Sequence, residues 1–221
     1  MKRVVETEVM SEADQAKAYA EADFEAAHSS YPLIFAEKFP HRHYSGWALD
    51  LGCGPCDVTI RFAQSIPALR FIAVDGSAAM LRYARRAVAV ANLSRRIKLI
   101  EGFIPGAPIP RRKFDVILSS SFLHHLHAPE VLWQTVRRYA KRGTMVFVPD
   151  LRRPATCARA RALVRRYSAG EPKVLRRDFY NSLRAAFTPA EVRRQLRAAN
   201  LEGLQVESIS DRHLLVHGIL K

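Results

Sequence analysis

The chain has 221 residues, 48% of them apolar and 25% charged, and carries a formal net charge of +14. That length can bury one sizeable core but leaves little room for two independent domains, and the composition excludes a disordered chain. No run of eighteen or more apolar residues occurs and the amino terminus, MKRVVETEVMSEADQ, soon turns polar and acidic, so neither a membrane span nor a signal peptide is expected and a cytoplasmic location is.

An amphipathic stretch opens the chain at Glu12–Phe39 and is interrupted at Ser29-Ser30-Tyr31-Pro32, which predicts two helices outside any strand–helix repeat. Short runs of branched and aromatic residues then alternate with stretches of helical period. Strands are expected at Trp47–Leu51, Arg70–Asp75, Ile97–Ile100, Phe114–Ser119 and Thr144–Val148, with helices at Val58–Ser65, Ala78–Ala91 and Pro129–Ala140. Ser77 is placed to cap the second helix and Pro129 to open the third. Two further helices, Ala155–Ser168 and Lys173–Ala186, follow without an intervening strand. Thr188-Pro189-Ala190-Glu191 is a capping box that starts a helix running to Asn200. Leu204–Ser210 and Leu214–Leu220 close the chain as two strands about a turn at Asp211-Arg212-His213.

The densest chemistry lies at Leu49-Asp50-Leu51-Gly52-Cys53-Gly54-Pro55-Cys56, a strand that ends in two glycines and feeds a helix. Glycine there lets a backbone pass beneath a ligand without a Cβ in the way. The next strand ends in Asp75, 21 positions after Gly54, where a carboxylate can accept both hydroxyls of a ribose. A dinucleotide fingerprint would need a third glycine where Asp57 stands. Cys53-Gly54-Pro55-Cys56 matches the thioredoxin redox motif, but Gly52 replaces the usual tryptophan and the chain is twice the expected size. Three cysteines, with Cys157 the third, suit reduced thiols better than a disulfide framework.

Taken together, the motifs resemble the class I S-adenosylmethionine-dependent methyltransferases over residues 47 to 221. Leu49 to Pro55 is similar to the family's first motif, and Val74-Asp75-Gly76-Ser77 with Met80-Leu81 to its second. Glu101-Gly102-Phe103 falls where the family has Gly-Asp, and Phe114-Asp115-Val116-Ile117 with Leu123-His124-His125-Leu126 resembles the fourth-strand motif. The resemblance implies an α/β, Rossmann-like seven-stranded sheet, mostly parallel with the last strand antiparallel and helices on both faces. It would be lidded by residues 1–46 and by the insertion 155–186.

It further implies cofactor contacts from Asp50, Gly52, Cys53, Gly54, Asp75, Gly76, Ser77, Met80, Gly102, Phe103, Ser119, Ser120 and Phe122. Phe103 replaces the acidic residue that binds the adenine amino group, so apolar contact would hold the base. Cys56 stands where the family prefers glycine. His124 and His125 are the candidates for a general base, since histidine titrates near neutral pH, whereas His127 reads as a surface residue. Tyr19, Phe24, His28, Tyr31 and Tyr180 would roof an acceptor pocket if both extra segments fold over it.

No metal cluster and no RNA-binding module is evident in the sequence, and a small-molecule acceptor is expected, with the chain a monomer or homodimer. An RNA or protein acceptor docked on arginine remains an alternative. Of the 35 basic residues 27 are arginine, but the doublets are spread along the chain instead of forming one recognition element. A cofactor-binding module without turnover is the second alternative.

Overall fold

The computed structural model describes residues 1–6, 28–40, 42 and 44–221. Its centre is a seven-stranded sheet in the order β3-β2-β1-β4-β5-β7-β6. Strands β1 (Gly46–Leu51), β2 (Leu69–Asp75), β3 (Ile97–Glu101), β4 (Phe114–Leu118) and β5 (Ala140–Leu151) are parallel. Strand β7 (His213–Ile219) runs antiparallel to both β5 and β6 (Gln205–Ser208). The expected Rossmann-like topology is therefore present.

Strands buried on both faces must be apolar throughout, which is why they appear in the sequence as continuous runs. Alternate residues serve opposite cores. Leu49, Leu51, Ile72, Val74 and Ile117 pack beneath α4 (Glu130–Tyr139) and α7 (Pro189–Ala198), whose Trp133, Val136, Val192 and Leu196 complete that layer. Ala48, Phe71, Ala73, Val116 and Leu118 pack beneath α1 (Tyr31–Lys38), α2 (Asp57–Ser65) and α3 (Ala78–Val90). The predicted caps form: Ser77 Oγ accepts the Met80 N–H, and Thr188 and Glu191 make both bonds of the capping box.

Two expectations need correction. Strand β5 is twelve residues long, reaching Leu151 instead of stopping at Val148. Pro149 reads as a stop, yet β4 pairs with β5 only as far as Phe147, so its missing N–H leaves no gap in that ladder, while β7 carries the pairing on through Asp150 and Leu151. The other concerns the amino-terminal lid. The helix there starts at Tyr31 with Pro32 in its first turn, and Tyr31 is 1% exposed, edge-on to Phe147 at 6.3 Å. Tyr31, Pro32 and Phe35 of this helix are thus part of the core.

The insertion after β5 does form two helices, α5 (Cys157–Tyr167) and α6 (Lys173–Ala185), which share a small apolar cluster of Leu151, Ala160, Leu163, Val164, Leu183 and Ala186. Met1 to Glu6 runs along it. The Met1 ammonium donates to the Ala155 carbonyl, Val4 N to that of Arg184 at 3.1 Å, and Arg3 Nε to that of Ala185.

Candidate functional site

The carboxyl ends of β1, β2 and β4 converge, which is where ligands bind in open α/β sheets. Gly52 N and Cys53 N both donate to the Val74 carbonyl, turning the chain sharply after β1. Gly52 has φ +75°, and a Cβ on it would lie 2.3 Å from the Phe122 ring. Gly54 has φ +53°, and a Cβ on it would meet nothing within 4 Å. Asp75 ties the two loops together, one oxygen accepting from Gly54 N and the other from Ser77 N, each at 2.8 Å. Burial raises the Asp75 pKa against the pull of those N–H groups. A desolvated carboxylate of this kind gains from any hydroxyl that reaches its remaining lone pairs.

Around this loop the predicted residues divide. The Ser119 hydroxyl donates to the Leu51 carbonyl and stitches β4 to β1. Ser120 Oγ is buried and has no partner among the described residues. The Phe103 ring is 65% exposed and lies over Gly76, whose Cβ would fall 2.3 Å from it, so an apolar wall stands beside Asp75. Gly102 N bonds the Asp75 carbonyl, and Met80 is buried beside Ala79 and Tyr83. Asp50 lies deeper. It is 2% exposed, accepts a 2.5 Å bond from Thr59 and is pushed up to about 6 by burial, so it fastens α2 to β1 from below. An orphaned hydroxyl at 120, open space over Gly54 and a fixed carboxylate at 75 fit a nucleoside-bearing ligand with a polar tail.

The cysteines do not fit redox chemistry. Cys53 and Cys56 are both buried, and the bond to Cys56 together with burial pushes the Cys53 thiol well up, opposite to a reactive thiolate. Cys56 caps α2 at φ +67°, a left-handed conformation that glycine adopts more readily.

Beyond Phe122 the chain makes a single 3₁₀ turn, Leu123–His125, against Asp150. The Asp150 carboxylate accepts from Leu123 N at 2.8 Å and Leu151 N at 2.6 Å and meets His124 Nδ1 at 2.7 Å. His125 Nδ1 lies 2.6 Å from Glu6 Oε2, and Ser182 donates to the other Glu6 oxygen at 2.7 Å. The two imidazoles stack with centroids 4.0 Å apart. Burial opposes charge on both rings, but Asp150 raises His124, whereas for His125 the His124 charge adds to burial and lowers it. Burial alone would raise the Glu6 pKa, but the bond and charge of His125, the His124 charge and the Ser182 bond together hold it below the usual range. His127, read as a surface residue, meets the Glu6 carbonyl at 2.9 Å.

Of the expected roof, Tyr19 and Phe24 lie outside the described residues. His28 is buried, 2.7 Å from Asp57 at the start of α2 and 5.6 Å from the Tyr31 ring. Tyr180 packs within the insertion, flanked by Arg161 and Arg184. Glu6 and Asp150, which meet the two histidines, are residues that sequence reasoning missed.

His213 pairs with Leu151 at the start of β7 and is lowered to about 4, first by burial and then by Arg212. A base with a depressed folded pKa destabilises the fold as pH drops from 6.5 towards 4, where only the unfolded chain takes the proton. Asp50, raised in the fold, acts with the opposite sign over much of that window. Urea unfolding at pH 7 and pH 4.5 should therefore show His213→Asn losing about 1–3 kcal/mol less than wild type across the interval. An equal loss would exclude His213 as a source of acid lability.

Several arginines have internal duties. Arg96 donates to the Ile66 and Leu69 carbonyls, Arg153 meets Glu191 at 2.6 Å, Arg193 holds the Val206 carbonyl, and Arg112 and Arg212 lie over Trp47 and Tyr167.

Residues 48–143 match a model of the methyltransferase domain. An uncharacterized methyltransferase of Schizosaccharomyces pombe is 29% identical over 123 residues, which are 53% of this chain and 42% of that protein. The chain spans less than half the length of the curated relatives it matches, 42% and 34%. Among solved structures, a SAM-dependent methyltransferase from Aquifex aeolicus has a TM-score of 0.69 at 16% identity, covering 95% of this chain and 99% of that one. The plantazolicin methyltransferase BpumL, in complex with a pentazolic desmethylPZN analog and SAH, has a TM-score of 0.72 at 14% identity, covering 94% and 91%. Residues 48–143 thus match a methyltransferase domain, and the chain shares the fold of solved S-adenosylmethionine-dependent methyltransferases.

Proposed function

We propose that this protein transfers the methyl group of S-adenosylmethionine to an oxygen, nitrogen or sulfur atom of a small molecule. The observation that carries the reading is Asp75, held by the N–H groups of Gly54 and Ser77 beside open space over Gly54. Asp75 would accept the ribose hydroxyls, Phe103 would flank the base, and Gly52 to Gly54 with Ser120 would face the methionine part. The cofactor's sulfonium carries the activated methyl. What the chain supplies is orientation of a nucleophile in line with it, worth roughly 7–11 kcal/mol of barrier.

His125 is the better placed of the two histidines to take a proton. Its side chain is 26% exposed against 3% for His124, it lies within electrostatic reach of Asp75, and burial beside His124 lowers its pKa. Glu6 and Asp150 position the two rings. The segment 1–6 and the insertion 155–186 would then shelter the acceptor side, and their mutual bonding supports that role.

Calorimetric titration with S-adenosylhomocysteine should give one site, and release of that product from S-adenosylmethionine should respond to members of a small-molecule panel. Tight RNA binding with a steep salt dependence, with no response to small acceptors, would favour the docking alternative. Absence of cofactor binding would remove both.

A further inference from the structure

The fold brings Glu6 to His124 and His125, more than a hundred residues away in sequence, so that one ligand atom from each lies within 4.8 Å of the others. We propose that these three side chains form a binding site for a divalent transition-metal cation of the zinc or cobalt type. The site shares its histidines with the function above, so a bound ion would withdraw His125 from proton transfer, and its formation does not depend on the cofactor.

Two imidazoles and a carboxylate are a donor set suited to such ions, and three protein ligands leave a fourth position open. His124 has Nδ1 committed to Asp150 at 2.7 Å, which leaves Nε2 as its donor and supplies the carboxylate partner that orients a ligating histidine. The Leu123 and Leu151 N–H groups fix that carboxylate in turn. Glu6 is steadied through its second oxygen by Ser182. A cation would enter the 2.6 Å contact between His125 Nδ1 and Glu6 Oε2, the ring hydrogen there moving to Nε2.

Ligands bound tetrahedrally at about 2.0–2.1 Å sit about 3.4 Å apart, so the 2.6 Å pair of His125 and Glu6 must open by about 0.8 Å while the widest separation, within 4.8 Å, closes by up to about 1.4 Å. The segment that carries Glu6 is fastened by Met1, Arg3 and Val4, so the adjustment falls to the Glu6 side chain. The net charge is favourable: Glu6 and Asp150 outweigh the Arg3 guanidinium, which donates to the His124 and Leu126 carbonyls at 3.0 and 2.9 Å. A bound ion would also clamp residues 1–6 against the turn and raise the melting temperature.

The test uses the full chain after chelator treatment, titrated with Zn²⁺ and with Co²⁺. One equivalent should bind, with a visible absorption band for Co²⁺ and a rise in melting temperature. Glu6→Gln and His125→Asn should each weaken binding at least about tenfold. No stoichiometric binding, or binding that both variants leave unchanged, would overturn the site. S-adenosylhomocysteine titration of the same wild-type sample reports separately on the cofactor reading.

Discussion

Gly54→Ala should lose at least about a hundredfold in affinity for S-adenosylhomocysteine, while Gly143→Ala should lose none. Both glycines have positive φ, +53° and +88°, and a Cβ on either meets no atom of the protein within 4 Å. The two substitutions therefore carry the same backbone penalty, about 1–2 kcal/mol for an alanine held left-handed. Only at Gly54 would the new methyl enter the space beside the Asp75 carboxylate, and a clash there of about 3 kcal/mol corresponds to that hundredfold. Calorimetry measures the affinity and thermal melting the shared penalty. If both variants bind alike, the space over Gly54 is not the cofactor's, and the assignment of residues 52–54 falls.

Much of this loop was legible before the fold was known, because its chemistry is local. Two glycines after a buried strand and an acid at the end of the next require only that strands be identified, and the parallel register of β1 with β2 then brings Gly54 and Asp75 together. The sheet and its caps were legible for the same reason, since alternation, Ser77, Pro129 and the box at Thr188 act over a few residues.

Contacts made across the chain were not legible. Nothing near Glu6 in sequence points to His125, and only the docking of residues 1–6 on α6 joins them. Asp150 lay beyond the expected end of the strand at Val148, and only the pairing of β5 with β7 carries the strand on to it. Tyr31 read as a roof because an amphipathic helix does not reveal which surface it covers, and here its apolar side meets Phe62 and Phe147. The arginine excess suggested a docking surface, but Arg3, Arg96, Arg153 and Arg193 spend their charge on carbonyls and carboxylates of the chain itself.

Asp150→Ala should be the most damaging single substitution at the acceptor edge, costing about 3–5 kcal/mol, because removing one member of a buried, hydrogen-bonded pair leaves the other uncompensated. The carboxylate is 1% exposed and serves three groups, so alanine strands the Leu123 and Leu151 N–H donors and the His124 ring together. In a chain of this length the loss should lower the melting temperature by roughly 6–20 °C. Asp150→Asn keeps the shape and one acceptor oxygen and should cost only about 1–2 kcal/mol. His124→Ala combined with Asp150→Ala should cost less than the sum of the single changes, since each removes the same contact. Urea unfolding with an unchanged slope measures all of these. Additive losses, or an Asp150→Ala variant within about 1 kcal/mol of wild type, would mean that the histidine turn is held by something other than this carboxylate.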